Sequence, residues 1–124
     1  MSAQQNKQNA VDAYAAFGNK DAEAAMRDLS DSIAWTEGGD NALTGTHRGK
    51  PAVGELWGKL ISKDFRTTPH DFVAEGDTVV VLTTRELAGH TSEGADVLTF
   101  DHDGKLIAFQ ALGDTTQLDR VFAK

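Results

Sequence analysis

From residue 65 to residue 112 the chain holds strand-like patterning almost without a break, and most of its helical patterning lies before that block. Such segregation argues against the alternating strand and helix of a doubly wound parallel sheet. It leaves an antiparallel sheet with helices gathered to one side. The block reads as four strands. Residues 65–75 form the first, and Pro69 within it fits an edge position or a bulge. Gly76-Asp77 turns that strand tightly into residues 78–87. A glycine-bearing loop over 88–94 leads to residues 95–100. The turn Asp101-His102-Asp103-Gly104 then leads to a last strand over 105–112.

Ahead of the block, Val11, Tyr14 and Ala15 recur at helical spacing and end at Gly18-Asn19, a C-terminal cap. A short second helix carries Ala22, Ala25, Met26 and Leu29 on one face. Residues 32–37 form a strand that runs into the turn formers Gly38-Gly39-Asp40-Asn41. The clearest helix starts near Pro51, with the one-sided stripe Val53, Leu56, Trp57, Leu60 and Ile61. Asp114 and Gln117 resemble a capping box that opens a terminal helix through Leu118, Val121 and Phe122. The expected fold is therefore α+β in the order ααβαββββα, a curled antiparallel sheet wrapped around helices as a hollow cone. Concave apolar interiors of that kind are usual ligand sites.

The 124 residues are expected to form one domain over 1–124. Nineteen acids against twelve bases leave a net charge of -7, which argues against nucleic acid and anionic membrane surfaces as partners. With no cysteine there is neither disulfide nor thiolate chemistry. The polar start has no signal-peptide core, and the longest apolar run, Val79-Val80-Val81-Leu82, is too short to cross a bilayer, so a cytoplasmic location is expected.

Within this frame two acids stand out. Side chains alternate along a strand, which places Glu37 with Ile33 and Trp35, and Asp96 with Leu98 and Phe100. An acid on an apolar face is costly unless it is paired, protonated or used. Each also has a plain structural reading: Glu37 as a strand end at solvent, Asp96 as an acid bonding a nearby loop backbone. The last strand splits into Ile107, Phe109, Ala111 and Gly113, expected toward the pocket, and Ala108, Gln110, Leu112 and Asp114, expected outward. Arg85 and Glu86 are neighbours, so only one of them can look inward.

Several stretches together resemble the nuclear transport factor 2-like superfamily, in its SnoaL-like and ketosteroid isomerase-like branch. They are Val11-Asp12-Ala13-Tyr14, the strand ending Trp35-Thr36-Glu37, the run Thr46-His47-Arg48-Gly49-Lys50-Pro51-Ala52-Val53 into the third helix, and Asp103-Gly104-Lys105-Leu106. The resemblance spans nearly the whole chain. It implies an apolar pocket for a small apolar carbonyl compound and proton transfer through an enolate without a cofactor. Glu37, or Asp40 if the alignment slips, falls on the base. Tyr14 matches an oxyanion donor and Asp96 a neutral acid donor. A carboxylic acid kept neutral in the apolar site of ketosteroid isomerase is a known example of this chemistry. Trp35, Trp57, Leu82, Leu98, Phe109 and Ala111 are expected to line the pocket. The resemblance also places Val80, Leu82 and Thr84 inward with Glu86 near the rim, and implies a homodimer through the outer sheet face.

The arginine between two acids that a limonene epoxide hydrolase-like site requires is not matched, because Leu87 stands where Arg85 would need its second acid. No metal is expected, since His47, His70, His90 and His102 are scattered. No phosphate-cradling glycine motif or nucleophile elbow is present. The competing reading is a non-catalytic ligand-binding or association domain of the same fold.

Overall fold

The structure is a computed structural model and describes residues 2–124. Helix α1 (Ala3–Gly18) is capped by Ser2, whose Oγ accepts from the Gln5 amide at 3.0 Å. Asn6, Ala10 and Tyr14, spaced by four, share its inward face. Helix α2 (Ala22–Arg27) is capped by Asp21 and ends at Asp28. Leu29, expected on this helix, instead opens β1 (Leu29–Glu37), where it is buried and pairs with Leu106. Helix α3 (Lys50–Ile61) buries Val53, Leu56, Trp57 and Leu60, the stripe read from the sequence.

Strand β2 (Gly45–Arg48) is an addition to the expected order. It pairs antiparallel with the end of β1, Glu37 opposite Gly45. Four residues at an edge, alternately half-buried and exposed, carry no apolar periodicity to announce them. Strands β3 (Arg66–Glu75), β4 (Thr78–Leu87), β5 (His90–Phe100) and β6 (Leu106–Gly113) complete a six-stranded sheet in the order β2-β1-β6-β5-β4-β3. Every pairing is antiparallel except β1 with β6, which is parallel. Pro69 lies on the edge strand β3, beside a register slip between Pro69 and Asp71.

Three local departures decide what faces the concave side. First, β4 and β5 are joined by only Ala88 and Gly89, both at positive φ (50° and 84°), so the expected loop over 88–94 is mostly strand. Secondly, the inward face of β4 is Val79, Val81, Thr83, Arg85 and Leu87, all buried. Val80, Leu82, Thr84 and Glu86 take the outer face, which corrects the expectation that Leu82 lines the pocket. The apolar run Val79 to Leu82 offers both faces equal hydrophobicity, so alternation cannot assign it. Thirdly, the β5–β6 register slips so that Phe100 pairs with Leu106 and Thr99 with Ala108. Leu106, rather than Ile107, is the buried residue before Phe109.

The core forms one cluster around Ala10, Ile33, Val53, Val81, Leu98 and Phe109. A second gathers Leu43, Leu56, Leu60, Leu87 and Leu118, and Trp35 packs against both. Helix α4 (Thr116–Val121) closes the second cluster with Leu118. Its cap is Thr115, and Asp114 accepts from the Thr116 amide at 2.9 Å in place of the expected box with Gln117. No helix among the described residues is long and apolar enough to cross a membrane.

Candidate active site

Between the helices and the concave sheet lies a cavity of about 80 Å³. One water needs only about 10–15 Å³ measured in this way, so there is room for a small organic group. Its walls are mainly apolar, aliphatic and aromatic together. Trp35 stacks on Phe109 with centroids 3.6 Å apart and meets Trp57 edge-on at 5.5 Å, while Phe17 meets Trp57 at 5.3 Å. Leu98 and Ala111 also line it. Four ionisable side chains share this apolar enclosure, Tyr14 from α1, Glu37 from β1, Arg85 from β4 and Asp96 from β5, together with the hydroxyl-bearing Thr67 of β3.

Three of them form one network. The Arg85 guanidinium donates from Nη2 to Asp96 Oδ1 at 2.8 Å and to the Leu112 carbonyl at 2.9 Å. The Tyr14 hydroxyl donates to Asp96 Oδ2 through a short hydrogen bond. Arg85 and Asp96 are 6 % and 3 % exposed, so the pair is out of bulk water. A guanidinium does not lose its proton in a protein, and buried it needs a counter-charge. Asp96 accepts twice and holds the nearest carboxylate oxygen. Burial raises its pKa, opposed by the Arg85 charge and the bonds from Tyr14 and Arg85. Accepting from both sides is the pattern of a carboxylate, while burial, the largest influence, moves its pKa upward toward the neutral acid. Burial first, then the Asp96 charge, pushes the Tyr14 hydroxyl up and keeps its proton on oxygen.

Glu37 is the fourth group. It is 7 % exposed, and the Trp35 indole Nε1 donates to its Oε2 at 3.1 Å. Burial raises its pKa; the Trp35 bond and the Arg85 charge work against that, while Asp96 adds to it and His47 opposes it. His47 on β2 is tied by Nε2 to the Leu43 carbonyl at 2.8 Å. With Arg85 and Asp96 balancing one another, Glu37 is the surplus acid of the cavity. It holds a proton more tightly than an ordinary glutamate.

Of the residues singled out in the sequence, Tyr14, Glu37, Asp96, Trp35, Trp57, Leu98, Phe109 and Ala111 all border this one cavity. Leu82 does not, being on the outer face. Asp40 does not either: it is exposed, and its carboxylate pairs with Lys124 Nζ at 2.6 Å. Its loop is held outward because Asp119 Oδ1 accepts from the Asp40 amide and Asn41 Nδ2. That removes the alternative to Glu37 within the cavity. Arg85 is the member that sequence reasoning missed. The available signal was Leu87, two residues on, which shares the parity of Val79, Val81 and Arg85 and ends that set on an apolar residue. Among the described residues no group of three or more His, Asp or Glu side chains is placed to hold a metal ion.

With this geometry in view, a family model described as a SnoaL-like domain matches residues 10–109. No curated protein matches the chain significantly. Among solved structures, an NTF2-like protein from Burkholderia xenovorans LB400 is 30 % identical, with 98 % of each chain covered and a TM-score of 0.78. An NTF2-like protein of unknown function from Burkholderia pseudomallei K96243 is 25 % identical over 100 % of both chains, with a TM-score of 0.85. TerC co-crystallised with polyporic acid is 25 % identical, covering 97 % of this chain and 99 % of its own, with a TM-score of 0.83.

Proposed function

We propose that this chain, which belongs to the SnoaL-like domain family of the NTF2-like superfamily, is a cofactor-independent proton-transfer enzyme for a small, largely apolar carbonyl compound. The observation that carries the reading is Glu37, a buried carboxyl with a raised pKa on the wall of an apolar cavity that also holds the Arg85–Asp96 pair. A general base works best when its pKa approaches the operating pH, and burial moves Glu37 that way. In the reaction Glu37 as carboxylate takes a proton from the carbon next to the carbonyl. The bonding pair flows onto the carbonyl oxygen as an enolate, and Glu37, now neutral, returns the proton to another carbon of the same system. The Arg85 guanidinium is the positive charge in the cavity toward which that oxyanion would turn. Asp96 and Tyr14 act here through Arg85, holding it in place, which differs from a pair of direct oxyanion donors. Co-crystallisation of TerC with polyporic acid supports an organic ligand in this fold.

A second reading, a binding domain without turnover, is favoured by one observation: Tyr14, Asp96 and Arg85 already satisfy one another with the cavity as it stands. Exchange of deuterium from D2O into the α-carbon of apolar cyclic ketones, followed by NMR, separates the two. The enzyme reading expects exchange that falls by about 10²–10⁴-fold in Glu37→Gln. Ketones that bind but show no exchange above buffer leave only the binding reading. The same proposal includes a homodimer through the outer sheet face. Val73, Val80 and Val97 are cross-strand neighbours there, as are Leu82, Ala95 and Leu112. Val73, Leu82 and Leu112 remain 60 %, 44 % and 43 % exposed in the single chain.

A further inference from the structure

Arg85 reaches Leu112 by crossing a whole strand. It stands on β4 opposite Ser92 of β5, yet its Nη2 donates to a carbonyl on β6, the strand beyond. The crossing point is Gly94 of β5, which pairs with Gly113 of β6. A Cβ built on Gly94 would lie 2.4 Å from Arg85 Cζ, 2.6 Å from Nη2 and 2.8 Å from Nε. Near-equal distances with the central carbon closest mean that the Cβ direction strikes the guanidinium face-on. The planar group therefore lies flat over the bare backbone of Gly94. Gly113 completes the close approach: a Cβ there would meet Glu93 O at 2.8 Å and Gly94 Cα at 2.9 Å. The two glycines differ in what they constrain. At Gly113 the obstacles are backbone and φ is +131°, so a side chain there strains the strand. At Gly94 the obstacle is the far end of a flexible side chain. Substitution there leaves the backbone in place and evicts the guanidinium.

We propose that Gly94 is a positioning residue of the candidate active site, its absent side chain forming the seat that holds Arg85 as the cavity's fixed positive charge beside Asp96. This rests on the reading of Arg85 and Glu37 given above. The ionisable groups bearing on Glu37 are Arg85 from β4, Asp96 from β5 and His47 from β2, with Tyr14 from α1 bonded to Asp96. Only Arg85 depends on the seat. Gly94 thus acts on proton affinity at a distance, through a residue it does not bond.

The test is a carboxyl-carbon NMR titration of Glu37 and Asp96 in the wild type, Gly94→Ala, Arg85→Ala and the double variant. Loss of a facing cation raises a carboxyl pKa by about one unit or more. Gly94→Ala is expected to raise both groups, as Arg85→Ala does, and to add nothing in the Arg85→Ala background. A merely structural glycine would perturb both backgrounds alike, and that outcome overturns the proposal. The double variant has no guanidinium to displace, so its titration and stability compared with those of Arg85→Ala report what the added methyl does by itself. Shifted titrations in Arg85→Ala but wild-type ones in Gly94→Ala overturn the seat alone. An unshifted Glu37 in Arg85→Ala overturns the catalytic reading beneath it as well.

Discussion

Replacing Asp96 by Asn removes one charge and little else. Asn keeps the shape, one amide oxygen still accepts from Arg85, and the Tyr14 hydroxyl is able to reverse and accept from the new amide. The loss is then almost purely electrostatic. At an effective dielectric of about 20, unit charges about 4 Å apart attract by about 4 kcal/mol. Removing one partner of a buried pair typically destabilises by about 3–5 kcal/mol. The Arg85 Nη2–Asp96 Oδ1 distance of 2.8 Å, with both side chains under one-tenth exposed, puts this pair in that class. Taking urea m-values of about 2 kcal/mol/M, the midpoint falls by about 1.5–2.5 M. A second readout moves as well. Glu37 loses the repulsion of Asp96 and becomes the remaining acid near Arg85, so its pKa falls. The assay is urea unfolding at pH 7 together with a carboxyl titration of Glu37. A loss below about 1 kcal/mol, the range of an exposed pair, with an unmoved Glu37 titration refutes the ion-pair account. That result would instead return Asp96 to the neutral donor first expected of it.

Glu37→Gln is expected to raise stability at neutral pH while lowering exchange by about 10²–10⁴-fold. The folded-state pKa of Glu37 lies above the ordinary value of 4.5 because of burial, so its contribution is fully present below that value and is lost as pH rises through the raised one. Thermal melts from pH 4 to 8 should therefore show a decline that is shallower in Glu37→Gln, and parallel profiles would count against the raised pKa. Tyr14→Phe removes one of the two donors to Asp96 and should cost about 1.5–3 kcal/mol, the range for a hydrogen bond to a charged group, read from the same urea curves. Leu98→Ala empties part of the cavity wall and core and should cost about 2–5 kcal/mol; a smaller loss would mean the walls collapse around the site. Leu82→Asp on the outer face should leave the fold intact and convert a dimer to a monomer in light scattering, and a wild type that is already monomeric rules out that interface.

Glu37 and Asp96 could be placed on inward strand faces because each shares a two-residue period with unmistakable apolar neighbours. The α3 stripe was equally legible, since four of its five marked positions, Val53, Leu56, Trp57 and Leu60, are buried. Leu82 was misplaced because Val79 to Leu82 is apolar throughout, and a pattern without contrast has no phase. The turn at Ala88-Gly89 was hidden because a non-glycine residue at positive φ gives little sign of itself. A longer loop was expected there, and it detached β5 from the β4 register that brings Arg85 within reach of Asp96.

Apart from β2 and the first residues of β1 and β5, the sequence alone determined which segments are helix or strand and which acids cannot easily face water, because these depend on periods of two and 3.6 residues. Which groups those acids meet was decided only by tertiary structure. Arg85, Asp96 and Leu112 are far apart in the chain, and they meet because Gly94 leaves the backbone bare where a guanidinium must pass. Protonation in a buried site depends on the nearest charge in space, and local periodicity carries no information about that neighbour.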